Sequence, residues 1–256
     1  MRIPTAILMI TSRMSINPET NIQTGPPPST GIQQGTALLR LLTWLSPAFP
    51  LGTFSYSHGL ETAICEGICH DRDSVGDWIE HIITLGSAKS DAILLAHAWR
   101  IGSRNMDELI ALNDLALALS ASKERYVETS QQGMAFFKAS AAWPTGLQEQ
   151  LKKAGPEAIA LPVIMGATAK EHGIDLGVIL PASLHAFASN LISVAMRLVP
   201  LGQTDGLLLQ ARLEAPLLTS ANHAATARLE DLGSSCFHSD IAAMRHETLY
   251  TRIFRS

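Results

Sequence analysis

Ser57-His58 sets a hydroxyl beside an imidazole, the pair from which acyl transfer is built when a base activates the serine and an acid orients the base. Adjacent residues rarely aim their side chains at one another, however. The strand-to-helix elbow that presents such a serine also needs a glycine two positions earlier, where this chain has Ser55. Cys65 and Cys69, four apart with His70 alongside, would set two thiols on one helix face as candidate metal ligands. The alternative is plain packing, because structural metal sites recruit ligands from two segments and a lone buried cysteine behaves as a small hydrophobe. No Gly-x-x-x-x-Gly-Lys-Ser/Thr or Gly-x-Gly-x-x-Gly phosphate cradle occurs, and Gly202–Gly206 reads as a turn in which Thr204 or Asp205 caps the next helix. His97 and His185 lie on apolar stretches and are expected to be satisfied core histidines. Glu171-His172 and Arg245-His246-Glu247 lack the His-Glu-x-x-His spacing of a zinc protease.

The elements that must position these groups are helical. Alanine and leucine abound, period-2 alternation is almost absent, and 256 residues at 46% hydrophobic and 16% charged can bury one substantial core. The fold expected is an all-α, single-domain helical bundle over residues 36–256, preceded by a disordered extension over residues 1–35 whose Gly25-Pro26-Pro27-Pro28 can neither extend a helix nor bury apolar area. The apolar run Ala6–Ile10 is too short for a signal peptide and no small-x-small cleavage pattern follows it. Expected helices include Leu38–Leu45, with Leu38, Leu41, Leu42 and Leu45 inward, and Gly59–Gly67. One capped by Asp73 or Ser74 follows, and then Ser90–Ile101, Asn105–Leu119 and Ser122–Trp143. Val163–His172 and Gly177–Val199 come next, the latter with Pro181 in its first turn, and then Asp205–Glu214 and Leu217–Leu232, separated by Pro216. Ile174–Val199 is the most apolar stretch, but Asp175, Pro181, His185, Asn190 and Arg197 interrupt it, which favours a core helix over a bilayer span.

A net charge of −4 without a basic run argues against nucleic-acid binding, and three cysteines give no disulfide framework, as in a reducing cytosol. Two stretches stand apart. The loop Pro50–Glu61, PLGTFSYSHGLE, carries Phe54 and Tyr56, with Phe49 just before it, and ordering it requires burying those rings. Its Ser55, Tyr56, Ser57 and His58 either present polar groups at a site or bond backbone groups in a buried corner. In the tail, His246, Leu249, Tyr250 and Ile253 would share a helical face, with Arg245 and Arg252 on another, a composition that suits an interface anchor or, alternatively, a frayed terminal helix.

PLGTFSYSHGLE resembles the N-terminal signature of the urease accessory protein F family, and Glu124–Gly133, Pro200–Leu213 and Asp240–Ser256 match that family in the same order. The resemblance implies an all-helical, non-enzymatic, cytoplasmic chaperone component that bridges a scaffold protein of D or H type and a GTPase of G type. It would serve nickel insertion into apo-urease, as a monomer or a homodimer. No cofactor would be held tightly; nickel would pass through the assembled complex. Contact residues implied are Tyr56, Ser57, His58, Glu61, Glu124, Arg125, Gln203, Thr204, Asp205, Arg245, His246, Tyr250, Arg252 and Arg255. Leu207 and Leu208 depart from the more polar residues usual there. Two rival readings are a direct regulator of nucleotide hydrolysis inserting Arg245 or Arg252, and a small-ligand hydrolase at Ser57 and His58.

Overall fold

The computed structural model describes residues 29–256, so the expectation for residues 1–28 lies outside them. Among the described residues there is no β-strand, and eleven α-helices carry the fold: α1 Ser29–Trp44, α2 Leu60–Cys65, α3 Arg72–Leu85, α4 Ser87–Ile101, α5 Met106–Ala118, α6 Lys123–Ser140, α7 Gly146–Ala154, α8 Leu161–Glu171, α9 Leu176–Leu198, α10 Gln203–Ala224 and α11 Phe237–His246. The all-α architecture expected from composition is what the chain adopts.

The centre is the crossing of α4 and α8. Helix α8 is buried from Pro162 to Ala169, and it comes close enough to α4 that a Cβ at Gly166 would run into the Leu95 carbonyl. Helices α3, α5, α6, α9 and α10 surround this pair, so the hub is a pair of mid-length helices. The long α9 lies against α10, α4, α2 and α3. It is the one described helix long and apolar enough to cross a membrane, and here eight of its residues, from Ile179 to Ala195, face protein.

Several boundaries differ from expectation for identifiable reasons. Helix α1 starts at Ser29, ahead of Thr36, and turns Ala37, Leu41 and Trp44 inward at i, i+4, i+7 while Leu38 and Leu42 stay exposed. Trp44 stacks edge-on with Phe136 and Trp143, ring centroids 5.4 and 6.2 Å apart, and the larger ring outcompetes the leucines for the core. Helix α3 is capped by Asp71, which accepts from the Ser74 N–H at 2.9 Å, two residues ahead of Asp73. Asn105 and Ser122 cap α5 and α6. Pro216 does not separate a pair of helices; α10 runs through it, and Pro181 sits within α9, the loss of a ladder bond being offset by packing on both sides.

Candidate functional site

The loop and the tail, far apart in sequence, are folded onto each other. Phe49 packs edge-on against Phe136 at 5.8 Å and fixes the start of the loop, after which a 3₁₀ turn at Thr53–Ser55 leads to Tyr56. Phe54 is exposed, contrary to the expectation that all the loop's rings are buried. His58 then takes φ +53°, the one positive-φ non-glycine residue among those described, and Gly59 follows at +75°. A Cβ on Gly59 would lie 2.7 Å from the Ala243 N of α11, so glycine is required there both by its backbone angle and by the helix lying over it.

Helix α11 ends at His246, so His246, Leu249, Tyr250 and Ile253 do not share a helical face; beyond His246 the tail is irregular and strapped to the loop. The Arg255 N–H donates to the Ser55 carbonyl and the Ser57 N–H to the Ser256 carbonyl, each at 2.7 Å, and the Ser57 hydroxyl donates to the same Ser256 oxygen. Phe254 is buried beneath the strap, with the Arg197 guanidinium 5.9 Å from its ring. Glu61, 2% exposed, accepts from the Ile253 and Phe254 N–H groups at 2.7 and 3.0 Å and from His246 Nε2 at 2.8 Å. The other ring nitrogen of His246, which is wholly buried, lies 2.8 Å from Glu124, whose second oxygen takes Arg252 at 2.7 Å.

A second buried chain of charges runs along α6. His58 Nε2 meets Glu128 at 2.8 Å, Glu128 meets Arg125 at 3.1 Å, and Arg125 pairs with Asp91 of α4. Burial alone would push the Glu128 carboxyl up, but His58 and Arg125 outweigh it and hold it down to about 2. Burial also pushes Asp91 up, against the pull of Arg125. Tyr56 donates to Gln131 at 2.9 Å, its carbonyl accepts from Asn190 at 3.2 Å, and its hydroxyl is pushed up by burial while the Arg255 guanidinium acts the other way. His58 Nδ1 has no hydrogen-bond partner among the described residues, and the ring borders a cavity of about 70 Å³ that Ser90, Asp91, Ser122 and Arg125 also line.

The geometry corrects the hydrolase alternative. Ser57 gives its hydroxyl hydrogen to Ser256 while His58 turns to Glu128, so the two adjacent side chains form no nucleophile–base pair. It also separates the two thiols: α2 stops at Cys65, so Cys65 is exposed whereas Cys69 is buried, its thiol donating to the Ser74 carbonyl and pushed up to about 12, chiefly by burial. His70 is exposed, and no group of three or more potential ligands forms a metal site among the described residues. His97 bonds the Ala227 carbonyl at 3.1 Å as a satisfied histidine, whereas His185 is exposed.

Of the residues singled out in the sequence, Tyr56, Ser57, His58, Glu61, Glu124, Arg125, His246, Arg252 and Arg255 come together at the loop, α6 and the tail. Arg245 points away to Glu66 at 3.1 Å, and Tyr250 is fully exposed. Gln203, Thr204 and Asp205 lie elsewhere, at the start of α10, where Asp205 accepts from the Gly202 N–H at 3.1 Å and faces Arg72 at 3.6 Å. Glu128 and Gln131 were expected to face outward or into a partner groove; Glu128 is instead buried, whereas Gln131 is exposed and accepts from Tyr56. Sequence reasoning missed Asp91, which has no local signal.

What these features define is a helical protein whose unusual polar residues hold its own tail in place instead of converging on a substrate. A family model described as UreF matches residues 69–214. Among curated relatives, "Urease accessory protein UreF" of Rhodopseudomonas palustris is 46% identical over 246 residues, covering 95% of this chain and all of the relative. The protein of the same description from Mesorhizobium japonicum is 46% identical over 220 residues, covering 86% of this chain and 96% of its own. "Urease accessory protein UreF 1" of Brucella abortus is 45% identical over 221 residues, with 86% and 95% coverage. The chain belongs to the urease accessory protein F family, a family of accessory proteins and not of enzymes.

Proposed function

We propose that the chain serves urease maturation as a non-catalytic bridge in the cytoplasm, engaging a scaffold protein of D or H type and a GTPase of G type while nickel passes through the assembled complex toward apo-urease. The observation that supports this reading is the two-sidedness of the tail. Its inner side is spent on Glu61, Ser55 and Ser57, while Tyr250 is fully exposed and Ile253 largely so, with Arg252 and Arg255 beside them. Aromatic and arginine side chains presented on a surface are the usual carriers of binding energy.

The test is co-purification of Tyr250→Ala/Ile253→Ala protein with the co-expressed scaffold, GTPase and apo-urease. The double variant is expected to keep its thermal transition and to lose the scaffold; retained capture overturns the assignment of this surface. The arginine-insertion alternative gains no support from the geometry, since Arg245 is paired with Glu66 and Arg252 with Glu124.

A further inference from the structure

We propose that the loop Pro50–Glu61 is the coupling between α6 and α9: the two helices are held in register through Tyr56 and His58, not through each other. Helices α6 and α9 share little direct contact, and each leans instead on the central pair, α6 on α8 and α9 on α4. What joins them is the loop. Its 3₁₀ turn and the helix α2 that follows it both rest on α9. Two of its residues, alternate in sequence, each hold one side chain from either helix. Tyr56 donates its hydroxyl to Gln131 of α6 at 2.9 Å and accepts on its carbonyl from Asn190 of α9 at 3.2 Å. His58 sets Nε2 2.8 Å from Glu128 of α6 and its ring edge-on to Phe187 of α9, the centroids 4.6 Å apart. Glu128 and Gln131 are three residues apart, as are Phe187 and Asn190, so each helix grips the loop with one turn of one face.

The backbone at His58 shows that the hold comes from outside the loop. His58 takes φ +53° without being glycine, a conformation that persists only where the surroundings over-determine it. What holds this one is Glu128 on one side and Phe187 on the other. Glu128 is itself fixed by Arg125, which pairs with Asp91 of α4, so the grip on His58 is braced by a third helix. None of these residues belongs to α11 or to the segment after it. A displacement of α6 is therefore passed to α9 by the loop. Under the bridging function proposed above, a contact made on one helix would be felt at the other; that consequence rests on the partner reading, whereas the measurement below does not.

The side-chain amide of Asn190 reports on the loop from the α9 side, because its exchange with solvent is slowed while it donates to the Tyr56 carbonyl. Gln131→Ala, a change at an exposed position of α6, should speed that exchange about three- to tenfold, the range for loss of one neutral hydrogen bond, and Tyr56→Phe should do the same. In Tyr56→Phe/Gln131→Ala the two effects should not multiply, since both act through one bond; separate weakening of two helices would multiply. The second arm is Glu128→Gln, which should shift the ring signals of Phe187 in an otherwise wild-type chain. In a His58→Gly background, where the ring is gone and the left-handed angle is unstrained, it should leave them in place. The Tyr56 and Gln131 changes remove no buried charge, so the first arm stands even if Glu128→Gln fails to fold. An Asn190 amide indifferent to Gln131→Ala, effects that multiply in the double variant, or Phe187 signals that respond to Glu128→Gln without His58 would each overturn the proposal.

Discussion

Replacing Glu61 by glutamine tests whether the tail is held from inside. The carboxylate divides its work unevenly: one oxygen takes the Ile253 N–H at 2.7 Å, and the other takes the Phe254 N–H at 3.0 Å and His246 Nε2 at 2.8 Å. A glutamine would keep its oxygen where two donors converge, leaving its NH₂ pointed at the Ile253 N–H. One hydrogen bond to a charged acceptor, worth about 1.5–3 kcal/mol, is lost, and a donor is left facing a donor in a site 2% exposed, at about 1–3 kcal/mol more. A net cost of about 3 kcal/mol after local relaxation corresponds to roughly a hundredfold rise in the open fraction of the tail. The assay is amide exchange, where Ile253 and Phe254 should lose about two decades of protection while the amides of α4 and α8 change little, since the bonds lost join α2 to the tail and not α4 to α8. Unchanged protection at these two amides would refute the reasoning, because it would mean that Phe254 burial alone carries the docking.

Other outcomes follow from the same geometry. Gly59→Ala forces a Cβ to 2.7 Å from the Ala243 nitrogen at φ +75°, and should cost at least ~2 kcal/mol, seen as a fall of roughly 4–8 °C in Tm by circular dichroism. Glu128, held down to about 2 in the folded protein against an ordinary value of 4.5, contributes stability that is present above about pH 4.5 and lost as pH falls toward about 2. Urea titrations across that range should therefore show a steeper acid loss in wild type than in Glu128→Gln, and equal slopes would remove Glu128 as a cause.

The fold was legible where apolar spacing and caps agree, as in α4, α5 and α6, whose ends fall within about three residues of the pattern. It was less legible at the prolines. Pro181 and Pro216 break helices by local rule but sit inside α9 and α10, where burial of Ile179, Leu180, Leu213 and Leu217 on either side holds the helix together. The tail showed the same limit: its apolar period suggests a helix, yet the carboxylate of Glu61 offers Ile253 and Phe254 better acceptors than a helical ladder that would have to end in solvent. Residue types revealed which side chains were unusual, but not that most would face inward. Asp91 was invisible because its role depends wholly on Arg125 arriving from another helix.

The inward turn of these groups bears on how the chain can bind anything. A buried charged cluster adds little net stability over an apolar one of the same shape, because desolvation offsets most of the attraction. What it does add is geometric selectivity: Glu61, Glu124, His246 and Arg252 can satisfy one another only with the tail in a single register. An apolar plug such as Phe254 could tolerate slippage, whereas a one-residue slip would strip Glu61 of two backbone donors. The strap therefore places Tyr250 and Ile253 in a defined position on an otherwise irregular segment, with Phe254 seated in the core beneath it. A backbone placed this way leaves less conformational entropy to lose when a partner arrives.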